Sequence, residues 1–361
     1  MCAIARSEAL PIGAARNAQY HPCMLAFLCA AFALQGPNFP VESHARVAPS
    51  DGRLVVGDER DEWIAPFSTT LAWRELLVSW NLDVEDGAGA VVELAVEHGE
   101  ERSGWLHLGE WGVAPSTRAP LESNLGTVEV DWFKPKQPLS AARVRVRAHG
   151  KPGAVVRVAR LDLVASDIAA RRPASAAPST LDPRDWRRRL DVPFLSQRSA
   201  GAEIASRVCS PTSTTMLLAW RGVDVELERF CALAYDPVND IYGNWPRNVQ
   251  AAWTLGVPAR LARCSTWGEV ESHIAAGQPL VVSIRAKQGE LAGAPYESTN
   301  GHLLVLVGFD DEGRVLANDP ATSDPARGRC TFSRADMEVV WMNRGGLAYV
   351  LMERPAAEAG R

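Results

Sequence analysis

An all-β sandwich followed by an α+β domain is the fold class this sequence predicts, on three observations. Short strand-like runs recur at regular spacing from Leu54 to Val164. A stretch rich in Ala, Pro and Ser, without apolar period, covers 166–189 and reads as a linker. Beyond it, from 190 to 355, helical and strand patterns mix. The length agrees, since 361 residues amount to about two domains at roughly 150 residues each. The apolar and charged fractions, 47% and 22%, are those of a chain that folds.

The first element in chain order is a secretory signal over 1–33. Met24 to Leu34 is an apolar run too short for the roughly 20 residues that span a bilayer. Arg6, Arg16 and His21 precede it, and Ala31-Phe32-Ala33 closes it with small residues where a signal peptidase reads, giving a cut after Ala33. Met24 is an alternative start to Met1. A secreted or extracytoplasmic protein follows, with no integral membrane segment once the signal is removed. Cys2, Cys23 and Cys29 would leave with it, so Cys209, Cys231, Cys264 and Cys330 remain. Four thiols do not make a disulfide-stapled scaffold, and their pairing is left open.

The sandwich is assigned to 46–165. Its runs are Leu76–Val84, Val91–His98, Gly104–Leu108, Thr127–Phe133, Ala142–Ala148 and Val155–Val164, parted by turn formers such as Asp86-Gly87-Ala88-Gly89. Val144, Val146 and Ala148 alternate with Arg143, Arg145 and Arg147, the period of a strand with one wet face. Six tryptophans (Trp63, Trp73, Trp80, Trp105, Trp111, Trp132) lie here. Exposed ones could stack on sugar rings, making a cell-surface polymer a candidate partner, whereas buried ones would be core. The net charge of −5 gives no basic footprint for a phosphate backbone, which excludes nucleic acid as a partner class. Arg187-Arg188-Arg189, at the end of the linker, reads as a solvated charge run.

In the second domain, chemistry centres on Cys209-Ser210-Pro211-Thr212 and the apolar helix behind it. Ser210 is a natural cap, Pro211 suits the first helical position and Gly222 a left-handed end. Cys209 then stands at a helix N-terminus, where unpaired N–H groups and the positive end of the dipole favour a thiolate. A proton acceptor is offered by His302, which opens the apolar strand Leu303–Phe309. If Phe309 pairs with Arg314 across a four-residue turn, Asp319 falls opposite Leu304 and diagonal to His302, about 7–8 Å away and within a carboxylate's reach. A loop one residue longer or shorter would reverse that relation, and Asn318 could serve instead. The Gln197 amide, twelve residues before Cys209, could donate to an oxyanion. No Cys or His pair has zinc spacing, so neither metal nor other cofactor is expected.

Val192-Pro193-Phe194-Leu195-Ser196-Gln197, Cys209-Ser210-Pro211-Thr212, Gly243-Asn244-Trp245-Pro246-Arg247-Asn248 and Gly301-His302 leading to Asn318-Asp319-Pro320-Ala321 together resemble the C39-like group of papain-fold cysteine peptidases over about 190–353. The resemblance implies a helix bearing the thiol packed on an antiparallel sheet bearing His and Asp. It implies Cys209 as nucleophile, His302 as general base, Asp319 as its orienting partner and Gln197 as oxyanion donor, acting on a peptide or protein. Ser210 stands where the family usually has Gly. Two other readings stay open: an acyl transferase or amidase on the same residues, and a binding protein whose hydrolase domain is inactive.

Overall fold

A computed structural model describes residues 42–47, 49, 51–167 and 180–353; the signal expected over 1–33 and most of the expected linker lie outside them. Strands β1 (Glu42–Val47), β2 (Arg53–Val55), β3 (Glu62–Trp73), β4 (Glu75–Val84), β5 (Ala88–His98), β6 (Glu101–Arg102), β7 (Leu106–Gly112), β8 (Gly126–Glu129), β9 (Trp132–Pro135), β10 (Leu139–Gly150) and β11 (Val155–Ser166) form two sheets. One runs β1-β11-β4-β9-β8 with β2 on β11, the other β3-β10-β5-β6 with β7 on β5, and every pairing between them is antiparallel. Alternation places Val144, Val146 and Ala148 of β10 in one apolar core with Leu76, Val78, Trp80 and Leu82 of β4. Pro66 is tolerated in β3 because that strand is a sheet edge.

The run 127–133, expected as one strand, is a hairpin. Val130 takes a positive φ of 59° and Glu129 pairs with Trp132, so the chain reverses there. Such a turn is costly for a β-branched residue, and Asp131 is the one common turn former in it. Of the six tryptophans, Trp73 and Trp80 are core, while Trp111 and Trp132 pack against the core of the second half.

The second half runs α1 (Pro183–Trp186), α2 (Cys209–Trp220), α3 (Leu227–Ala234), α4 (Trp245–Thr254), β12 (Ala259–Arg263), α5 (Trp267–Ala275), β13 (Leu280–Ala286), β14 (Thr299–Phe309), β15 (Val315–Asn318), α6 (Pro325–Gly328), β16 (Arg329–Phe332), α7 (Arg334–Val340) and β17 (Leu347–Leu351). Its sheet is antiparallel in the order β12-β17-β13-β14-β15-β16. No described helix is long and apolar enough to cross a membrane. The arginine run is exposed, as expected, but it is also anchored. Trp186 is buried edge-on against Phe309, Arg188 Nη2 donates to the carbonyls of Ile274 and Ala275, and Arg189 Nη2 donates to Asn318 Oδ1.

The described residues of both halves belong to one compact unit, and β4 is the shared element. Its even residues face the first core, and its odd residues face the second half. Leu77 joins the second core, Ser79 Oγ accepts from Leu261 N, and Asn81 exchanges two hydrogen bonds with the backbone of Ala259. In return, Gln250 of α4 exchanges two with the backbone of Leu82. Asp131, in the turn between β8 and β9, accepts from Trp245 N at 3.0 Å, at the start of α4.

Burial pushes the Asp131 carboxyl up to about 7, against the hydrogen bonds from Trp245 and its own backbone. A carboxyl whose folded value is raised gives stability that is complete below its unfolded value, near 4, and lost as pH rises through about 7. Unfolding free energy should therefore fall by about 1.4 kcal/mol per pH unit across that window from this group alone. Asp131→Asn, which keeps an acceptor for Trp245, should flatten the slope in urea titrations at pH 5, 6 and 7, and an unchanged slope would refute the assignment.

Candidate active site

Helix α2 starts two residues earlier than its sequence suggests. Val208 is the N-cap and has no side-chain cap bond, so Cys209 is the first helical residue and Ser210 lies inside the first turn. Ser210 does not cap because its hydroxyl is used elsewhere: it is buried and hydrogen-bonded to the Tyr349 hydroxyl at 2.9 Å. The Ser210 side chain therefore points into the core. Pro211 to Leu218 are buried as well, so α2 is enclosed instead of having one wet face. Its hydroxyls are absorbed locally, Thr212 and Thr214 donating to the carbonyls of Val208 and Ser210. Ser213 donates to Leu303 O of β14 at 3.0 Å, fastening the helix beside His302.

The hairpin carrying His302 and Asp319 departs from the expected register and then returns to it. Phe309 pairs with Val315, not Arg314, so the connection is one residue longer than expected. The register shifts between Leu306 and Gly308, after which Leu306 faces Ala317 and Val305 faces Asn318, as expected. This bulge is held from outside. Leu190 N donates to Val307 O and Phe309 N to Arg188 O, and a Cβ on Gly308 would lie 1.9 Å from Arg188 O. Gly308 has φ 150°, and glycine alone fits that approach.

The structure brings three of the four expected side chains together. His302 Nε2 bonds Asp319 Oδ1 at 2.8 Å, and the same imidazole interacts with the Cys209 sulfur. Asp319 is fully buried. Its Oδ1 also accepts from Ala321 N, and its Oδ2 accepts from the Tyr296 hydroxyl at 2.9 Å. Asn318 is not an alternative, because its amide is spent on Arg189 and Val192 O. Gln197 is buried, and its backbone N–H donates to Pro320 O, beside Asp319. Its side-chain Nε2 donates to Ala205 O at 2.8 Å, leaving one amide hydrogen uncommitted.

Burial alone would raise the Cys209 thiol, but the His302 imidazole and the backbone N–H groups of Leu303 and Ser210 outweigh it and bring it below the ordinary thiol range. Burial alone would lower His302, and the Asp319 carboxylate with the Cys209 sulfur overcomes it, lifting the imidazole to about 10. Both directions favour a thiolate–imidazolium pair. Cys231 and Cys330 go the other way, pushed up to about 12 by burial. None of the four described cysteines is in a disulfide, and the described residues hold no cluster of three or more potential metal ligands.

Residues 189–349 match the model of the Peptidase_C39 like family. The chain is also similar to two solved structures. One is a double glycine motif protease from an AMS/PCAT transporter in complex with the leader peptide, with 19% identity, 47% of this chain and 96% of that chain covered, and a TM-score of 0.31. The other is the peptidase domain of Streptococcus ComA, a bi-functional ABC transporter involved in a quorum sensing pathway, with 17% identity, 41% and 93% covered, and a TM-score of 0.29. No match was found among curated proteins.

Sequence reasoning missed Tyr296. It stands in the connection between β13 and β14, with its ring edge-on to His302 at 5.1 Å between centroids, while its hydroxyl holds the second Asp319 oxygen. A tyrosine in an irregular loop gives no periodic signal, and only the fold reveals it. Two outcomes are expected. At pH 6, where a free thiol with a pKa near 8.5 is below about 1% ionised, iodoacetamide should still alkylate Cys209 rapidly, and His302→Ala should slow this by at least about tenfold; equal rates would dismiss the ion pair. Tyr296→Phe should keep the ring contact but leave one carboxylate oxygen unpaired, slowing alkylation by a few-fold, about 1 kcal/mol for one buried hydrogen bond.

Proposed function

We propose that the chain is an exported cysteine peptidase whose C39-like domain is preceded by a β-sandwich domain. The observation that carries the reading is the continuous run from the Cys209 sulfur through His302 to Asp319 Oδ1 at the N-terminus of an enclosed helix. Export rests on the charged and apolar pattern of the first 33 residues.

In this reading the Cys209 thiolate attacks a peptide carbonyl carbon, and negative charge moves to the carbonyl oxygen. The backbone N–H of Cys209 at the start of α2 and the uncommitted amide hydrogen of Gln197 are the donors for that oxygen. His302, held by Asp319, passes its proton to the departing amine as the carbon–nitrogen bond breaks, leaving a thioester. The same imidazole then takes a proton from water as the water attacks, and the carbon–sulfur bond breaks to release a carboxylate and restore the thiolate. Asp319 fixes the ring orientation and balances its charge throughout.

The test is cleavage of a randomised quenched peptide pool by the full chain. Wild type should cut it, Cys209→Ala should abolish cleavage, and Gln197→Ala should lower kcat by about 10²–10³, the usual cost of an oxyanion donor. Cleavage that survives Cys209→Ala would overturn the assignment. Products appearing only with an added amine acceptor would move it to acyl transfer.

A further inference from the structure

Arg285, Lys287 and Arg344 line one cavity of about 680 Å³ together with Ser298, Thr299 and Asn300, and no carboxylate lines it. Such a concentration of positive charge runs against a chain with a net charge of −5. Arg344 is paired with Glu290 at the edge of the cavity, and that carboxylate also accepts from the backbone N–H of Lys287. Neither Arg285 nor Lys287 forms an ion pair among the described residues. Glu297, next in sequence to Ser298, is exposed. With one acid at its edge and three cations on its walls, the cavity keeps a positive excess.

Its position ties it to the reaction centre by three routes. Asn300 precedes His302 by two residues in β14, where that spacing is about 7 Å along a strand. Arg285 follows Ile284, the residue paired with His302 across β13 and β14, and the register shifts there, so that Arg285 faces the two residues Asn300 and Gly301. A bulge at this point re-aims the strand immediately before the imidazole. Ser298 lies two residues after Tyr296, whose ring rests on His302.

We propose that this cavity is a subsite for a negatively charged side chain of the peptide substrate, so that the enzyme prefers acidic sequence beside the bond it cuts. The proposal rests on the peptidase reading and adds its substrate class. A guanidinium offers a planar fork matched to a carboxylate, and the neighbouring lysine adds a second charge, a pairing that discriminates strongly between an acid and its amide. The volume lies within the ~300–1,000 Å³ typical of ligand sites, ample for one or two side chains. The hydroxyls of Ser298 and Thr299 and the Asn300 amide supply further polar contacts around the anion.

Two pools of quenched fluorescent octapeptides test it, one randomised with Glu and Asp, the other with Gln and Asn in their place. For the full chain, kcat/KM on the acidic pool should exceed that on the amide pool by about tenfold, the scale of one charge-assisted contact. Arg285→Ser with Lys287→Ser should bring the ratio near one. Lys151→Ser with Arg157→Ser, which removes equal charge from exposed positions of the first half, should leave it intact. Equal rates in wild type, or a ratio that the first pair leaves alone or the second pair lowers as much, would overturn the proposal. If neither pool is cut, the peptidase reading has failed, and the subsite is judged separately by fluorescein-labelled hexaglutamate. Saturable binding to Cys209→Ala that is lost when Arg285 and Lys287 are also replaced sustains an anion site; no binding refutes it.

Discussion

The sulfur and the imidazole can meet because α2 lies directly on β14, fastened there by the bond from Ser213 to Leu303 O. Everything at the site follows from that contact. A helix buried on all sides usually has to be apolar, but the first half of α2 is Ser and Thr. The contradiction resolves in the bonds these hydroxyls make: Thr212 and Thr214 return theirs to the preceding turn, and Ser213 reaches across to Leu303. Short polar side chains let the helix approach the strand closely, and satisfied hydroxyls remove the penalty of enclosing them. The positive end of the helix is thereby fixed against the strand that carries the base.

The partner of the base is set by a different device. Asp319 can face His302 only if the hairpin keeps its parity, because a one-residue slip sends every side chain to the opposite face. The connection is one residue too long, and the bulge at Gly308 absorbs the excess. The segment through Arg188 and Arg189 occupies the space that a side chain at 308 would need and pairs with both sides of the bulge. Residues that read as a charged linker thus hold the register of the hairpin that carries His302 and leads to Asp319.

How far the sequence was legible follows the range of the forces involved. Local signals located Cys209 at a helix start and His302 at the head of an apolar strand, and pairing arithmetic reached Asp319 even though the turn was counted one residue short, since the bulge cancels the miscount. What escaped depended on distant chain. Ser210 turns to Tyr349 instead of capping, the Gln197 amide engages Ala205, and Tyr296 acts from a loop without period. In the first half, the strand-like runs correspond to observed strands, but Val130 conceals a reversal because nothing in its residue type foretells a left-handed turn. Ser79 and Asn81 are polar yet buried, in contact with Leu261 and Ala259.

Those last contacts bear on how the molecule could be divided. The family match begins at 189, an inviting place to cut, yet the amide of Asn81 serves the backbone of Ala259 in the manner of a missing neighbour strand, and Gln250 does the same for Leu82. A fragment beginning at 189 would leave the outer edge of β12 without those partners and strip Leu77 from its core, while the excised sheets would lose Gln250. Each piece would carry raw backbone donors and acceptors that water must cover, together with an apolar scar prone to self-association. Expression of the trimmed piece is therefore a poor surrogate for the whole, and an inactive fragment would speak to a torn seam before it spoke to chemistry.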